Sequence, residues 1–129
     1  MPVVTQLTVM AENKRGALAE ICTKLAEKAV NVIGLMAPHQ PGSAPVRLVV
    51  NDLDAAKKVL DQLGLKYSEE SVLNVRLSDR PGAIGKITRK LADAGVDIHF
   101  AYATILKGAG HANVIFGVSD VDAAAKVVK

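Results

Sequence analysis

The chain has 129 residues, 50% hydrophobic and 22% charged, which suits one ordinary domain or two very small ones and argues against disorder. Its net charge of +3 comes from basic residues interleaved with acids, as in AEICTKLAEK and KITRKLADAG, the pattern of solvated helix faces rather than of a nucleic-acid surface. The single cysteine, Cys22, excludes an internal disulfide framework and a Cys-rich zinc site, while the absence of a basic leader and of any apolar run near ~18 residues points to a cytoplasmic protein without a membrane span.

In chain order, Leu7, Val9 and Ala11 alternate with Thr8 and Met10, the period of a half-buried strand. Leu18, Ile21, Cys22 and Leu25 then recur at helical spacing. A second strand is expected at NVIGLMA, a Pro- and Gly-rich loop at PHQPGSAP and a third strand at VRLVV. A helix over 53–63 follows, with Asn51 or Asp52 to cap it and Gly64 to stop it. LKYSE supplies a fourth strand and runs into the next element with almost no linker.

The order then repeats. Leu73, Val75 and Leu77 alternate with Asn74 and Arg76, and Ile84, Ile87, Thr88 and Leu91 keep helical spacing. DIHFAYATIL, the loop KGAGH and NVIFGV follow, then a helix over 121–128 whose Ser119 and Asp122 have capping-box spacing. Gly16 and Gly82 are 66 positions apart, as are Ala17 and Ala83, Ile21 and Ile87, Leu25 and Leu91, and Val30 and Val96. Later the offset is 68, placing DLDAAKKVL over DVDAAAKVV. An internal duplication with units at 1–70 and 71–129 accounts for this.

A βαββαβ unit with alternating strands hides both helices on one face of an antiparallel four-stranded sheet, an α+β, ferredoxin-like plan. Two tandem copies are expected, the second lacking its last strand because Lys129 already matches Asp61. That edge is open, or covered by another chain, or belongs to a sequence cut short. The open sheet face of the first unit would carry Thr8, Met10, Ile33, Leu35 and Val49, apolar enough to expect a partner surface.

The first strand-to-helix corner reads Asn13-Lys14-Arg15-Gly16, and its sister reads Asp79-Arg80-Pro81-Gly82. A helix N-terminus presents unpaired N–H groups and a partial positive charge. Asn13 and Asp79 are good cap residues, Pro81 suits a first helical turn, and glycine lets a ligand approach the backbone. The amides around residues 16–18 and 82–84 are therefore candidates to hold a carboxylate, the bland alternative being a clean turn.

LNVRLSDRPGAIGKITRKLADAGVDIHFAYA resembles the start of an ACT domain: an apolar strand ending in Asp-Arg-Pro-Gly, a helix, then a Val-Asp-Ile strand. LTVMAENKRGALAEICTKLAEKAVNVIGLMA is similar, and the resemblance spans essentially the whole chain as two copies. It implies a ligand-sensing module of the kind attached to amino-acid biosynthetic enzymes, binding amino acids between paired domains. Carried over by position, it assigns Asn13, Gly16, Ala17 and Leu18 to one site and Asp79, Gly82, Ala83 and Ile84 to the other. Asn31 and Asp97 would help hold an ammonium group. Arg15 departs from the family's proline, and Asp79 would repel a carboxylate if it faced one, so it caps the helix or meets the ammonium. The expected partners are an amino acid or small carboxylate metabolite, a second copy in a homodimer and an amino-acid biosynthetic enzyme, with no cofactor.

Other classes fare worse. Cys22 is a core residue replaced by Thr88 in the sister unit, and His39, His99 and His111 lack metal-ligand spacing, so neither catalysis nor a metal is expected. His99 is expected on the open sheet face, where it could line a ligand pocket. RNA-binding modules share the sheet plan but need exposed rings on their middle strands, where this chain offers Thr8, Met10, Asn74 and Arg76, and Phe116 has core parity. A ligand-free assembly module for a partner enzyme is the other alternative.

Overall fold

The structure, a computed structural model, describes residues 3–12, 15–38, 43–105, 108 and 110–128. Period-two alternation becomes strand β1 (Val3–Glu12), and the helical spacing after it becomes α1 (Ala17–Glu27). These are followed by β2 (Val32–Met36), β3 (Ser43–Val50), α2 (Leu53–Gln62) and β4 (Lys66–Ser78). The second round runs through α3 (Ala83–Asp93), β5 (Ile98–Ile105), β6 (His111–Val118) and α4 (Val121–Val127). LKYSE and LNVRLS thus fuse into the single 13-residue strand β4.

The chain divides into two compact units, Thr5–Glu70 and Met1–Val4 with Ser71–Lys129. In the first, the strand order is β2-β3-β1-β4, with β1 antiparallel to β3 through Leu7 opposite Leu48 and Val9 opposite Val46. Those four side chains are buried beneath Ile21 and Leu25 of α1 and Ala56, Val59 and Leu60 of α2. Alternation on the strands and helical spacing on the helices converge on this core because each buries one face.

In the second unit the order is β5-β6-β4-β1, with Leu73 opposite Phe116 and Val75 opposite Val114. Ile87 and Leu91 of α3 and Ala124 of α4 close its core. No strand follows α4 among the described residues. The place beside β4 is taken by the first residues of β1: Val3 and Val4 belong to this unit, and Val3 packs against its core. Of the three fates expected for that edge, the structure shows a fourth: the chain's own beginning covers it.

Local expectations were met unevenly. Gly64, at φ 70°, ends α2 in a Schellman arrangement, with Leu65 N–H donating to Leu60 O at 3.1 Å and Gly64 N–H to Asp61 O at 3.1 Å. Asp52 caps α2 by accepting from Ala55 N–H at 3.1 Å. The capping box at Ser119 is not formed. Asp120 caps α4 instead, accepting from Ala123 N–H at 3.0 Å, while Ser119 Oγ accepts from Asp97 N–H at 2.9 Å. The hydroxyl serves the neighbouring strand because Asp120 already occupies the extended cap position.

β3 reaches into the expected loop and includes Pro45, opposite Met10. Pairing with β2 ends at Arg47, so proline's missing N–H falls where β3 has only one neighbour. On the open face of the first unit Met10 is exposed, but Thr8 is half-buried and its hydroxyl donates to Glu70. Ile33 and Leu35, also expected there, are exposed on β2, but Leu35 lies opposite the core residue Leu48 and Ile33 falls in the register irregularity between Val32 and Gly34, so neither is placed on that face. Val49, expected to be open, is buried opposite the likewise buried Gly34.

Candidate functional site

Each strand-to-helix corner has the same backbone. Gly16 and Gly82 occupy the N-cap positions of α1 and α3 at φ 86° and φ 90°, in the left-handed region that favours glycine. Nothing lies within 4 Å of where a Cβ would sit on either, so backbone conformation rather than crowding demands the glycine. Among the described residues neither helix has a side-chain cap. The first helical bonds are Glu20 N–H to Gly16 O and Lys86 N–H to Gly82 O, both 2.9 Å. Among the described residues no side chain accepts from the first-turn amides of α1 and α3, although Ala83 N–H donates to Arg80 O at 3.3 Å. This corrects two expectations: Asp79 does not cap α3, and Pro81 lies in the turn before the helix. Gly82 holds the cap position three residues beyond Asp79, so the helix begins only at Ala83.

An open cleft lies at each corner. The first, about 700 Å³, is bounded by the end of β1 (Met10 to Glu12), by Arg15, Gly16, Ala17, Glu20 and Ile21, and by the α2–β4 turn from Leu63 to Lys66. The second, about 490 Å³, is bounded by the end of β4 (Val75 to Ser78), by Arg80 to Ala83, by Lys86, Ile87 and Lys90 on α3, and by Val128. The sequence pointed to the glycines and alanines of these clefts and showed Lys86, Arg89 and Lys90 as a basic grouping on one helix; it did not assign Glu20, Lys86 or Lys90 to a site or indicate the far wall at Leu63–Lys66. Helical spacing from Gly16 and Gly82 to Glu20 and Lys86 was the signal available.

The remaining candidates fall outside the cleft linings. Leu18 is half-buried against the first core, whereas its counterpart Ile84 is exposed. Asn31 and Asp97 are exposed, and their backbones are pinned to the ends of the adjacent strands: Asn31 N–H donates to Asn51 Oδ1 at 2.8 Å, and Asn51 N–H to Asn31 O at 3.1 Å. Ser119 plays the Asn51 part for Asp97, its N–H donating to Asp97 O at 3.0 Å. Asp79 is exposed, with its N–H donating to Gly110 O at 3.1 Å. Asn13, Lys14 and His39 lie outside the described residues.

Cys22 is half-buried on α1, and His111 faces Arg76, whose Nη2 lies 3.1 Å from His111 Nδ1. His99 falls in the register irregularity between Ile98 and Phe100, so strand parity does not assign it a face. Among the described residues no group of three or more His, Cys, Asp or Glu side chains is placed to hold a metal, and no helix is long and apolar enough to cross a membrane.

Residues 2–129 fit the family described as an ACT domain pair. The chain belongs to the ACT family. A solved structure of a Bacteroides thetaiotaomicron protein is similar, with TM-score 0.90 and 28% identity over 98% of this chain and 86% of that one. The ligand-free regulatory subunit of aspartate kinase from Thermus thermophilus has TM-score 0.64 and 18% identity over 99% and 95% of the two chains. Its counterpart from Thermus flavus has TM-score 0.62 and 17% identity over 99% and 95%. At such identities the two subunits share the fold with this ACT pair. No curated protein sequence matches.

Proposed function

We propose that this ACT pair is a non-catalytic regulatory module that binds an amino acid or related small carboxylate metabolite at its strand-to-helix corners. The observation that carries the reading is the coincidence, twice in one chain, of a glycine-turned helix start without a side-chain cap and a cleft opening on it. Amides held in that geometry can receive a carboxylate without rearranging. Regulatory subunits of aspartate kinase among the structural neighbours support a role in signalling metabolite level to an amino-acid biosynthetic enzyme in the cytoplasm. Binding between paired domains of a homodimer would couple ligand to association or orientation, and so to the partner.

A thermal-shift screen of the whole chain against the amino acids tests this. A ligand at 100 times its dissociation constant adds about 2.7 kcal/mol to stability, a shift well above noise. No shift with any of them would favour the second reading, a ligand-free assembly module. That reading has its own support in Met10, exposed at 43% on the first unit's open sheet face, and in Ile33 and Leu35, exposed at 51% and 42% on β2 at the end of the strand order. Sedimentation with and without a hit separates ligand-coupled association from binding alone.

A further inference from the structure

The two corners share a backbone but not a charge. Among the residues lining the first cleft, Glu12 and Glu20 balance Arg15 and Lys66. The second is lined by Arg76, Arg80, Lys86 and Lys90, with no carboxylate side chain among the described lining residues. Lys86 occupies the position of Glu20 in the duplication, and Ser78 that of Glu12.

Two features make this more than a stray excess of base. Lys86 stands in the first turn of α3, where the helix dipole favours an acid, and α1 has Glu20 there. Lys90 lies one turn further along the same face, so the two ammonium groups repel each other as like charges at i and i+4. Among the described residues, no carboxylate pairs with Arg80, Lys86 or Lys90. Asp93 is drawn to Arg89 at 3.8 Å, and Asp79 is outside the lining. Arg76 is held beside His111. The arrangement opposes the helix dipole and sets like charges together at the mouth of a cleft, both of which a bound anion would relieve.

We infer that the second corner takes a compact dianion, a dicarboxylate or a phosphate, whereas the charge-balanced first corner suits a zwitterion. The inference rests on the corner reading proposed above and names the ligand class for one of its two sites. One negative group would meet the amides at the start of α3, and the other the ammonium groups of Lys86 and Lys90.

Calorimetric titration of the whole chain with succinate, inorganic phosphate and the amino-acid hit tests it. Succinate or phosphate should bind, weaken as salt rises, and bind at least tenfold more weakly to Lys86→Gln, with a further loss in Lys86→Gln/Lys90→Gln. Lys58→Gln, the same charge change at an exposed position of α2 outside either cleft, should leave that affinity within about twofold. Preference between the two probes tells a carboxylate ligand from a phosphate one. Dianion binding that ignores Lys86→Gln overturns the inference, and so does an amino acid bound where neither dianion binds, which leaves the corner reading standing. Silence from every probe and amino acid brings down both.

Discussion

The two units are near-copies that solve the same local problems with different residues. At the C-terminus of the first helix, each forms a Schellman turn with its C′ residue in the left-handed region: Gly95 at φ 76° in the second unit, but Ala29 at φ 57° in the first. The bonds match, Val96 N–H to Leu91 O and Val30 N–H to Leu25 O, both 3.0 Å. On the open sheet face the difference is a swap. In the first unit Val49 supplies bulk on β3 opposite Gly34 on β2. In the second, Phe100 on β5 supplies it opposite Gly117 on β6, and its ring stacks with Tyr102 at 6.4 Å between centroids. Each pair sets one bulky side chain against a glycine, and either strand can provide the bulk. The duplication conserves backbone geometry more strictly than the identity of any one side chain.

That comparison can be broken or sharpened. The largest effect is expected from Gly82→Val, because a β-branched residue at φ 90° is strained whatever space surrounds it. Denaturant unfolding should show a loss of about 2 kcal/mol or more, with a like loss for Gly16→Val. Inequality between the two would mean that the corners are not equivalent backbones. The strain also makes Lys86 the cleaner residue for a binding test.

Gly117→Ala should cost about 1–3 kcal/mol, since the new Cβ would fall 2.2 Å from the Phe100 ring. Combining it with Phe100→Ala should recover part of the loss relative to the sum of the single changes. Strict additivity in that cycle would refute the volume swap.

Ala29→Gly should raise stability by roughly 0.5–1 kcal/mol, because it removes the left-handed penalty that Gly95 already avoids. A loss instead would show that Ala29's methyl group contributes packing not matched at Gly95.

The smallest effect concerns Tyr67, at the start of β4. Desolvation of its half-buried ring, with the hydroxyl bonded to Asp61, pushes its pKa above the ordinary 10.0. The folded state therefore favours the neutral phenol. Its contribution is complete below that ordinary value and is lost as pH rises through the raised one, since the unfolded chain ionises first. Denaturant midpoints should fall slightly from pH ~9 to pH ~11 in the parent and less in Tyr67→Phe. Equal slopes would remove Tyr67 from the account.

The sequence by itself determined what depends on neighbours a few residues away: the two periods, the duplication, the glycine corners, the Gly64 stop and the Asp52 cap. These follow from local sterics and from one-sided burial, and both leave a mark at short range. Only the tertiary structure decided which distant segment fills a given place. Val3 and Val4 complete the second unit because they are brought beside β4, which no local pattern encodes. Phe100 could be matched with Gly117, and Val49 with Gly34, only once strand register set them opposite one another. The second cleft's uniform charge likewise emerges only when the end of β4, the Arg80 turn and one face of α3 are gathered around it. Long-range pairing joins residues whose separation along the chain carries no period, and its specificity lies in how distant side chains meet rather than in any single residue.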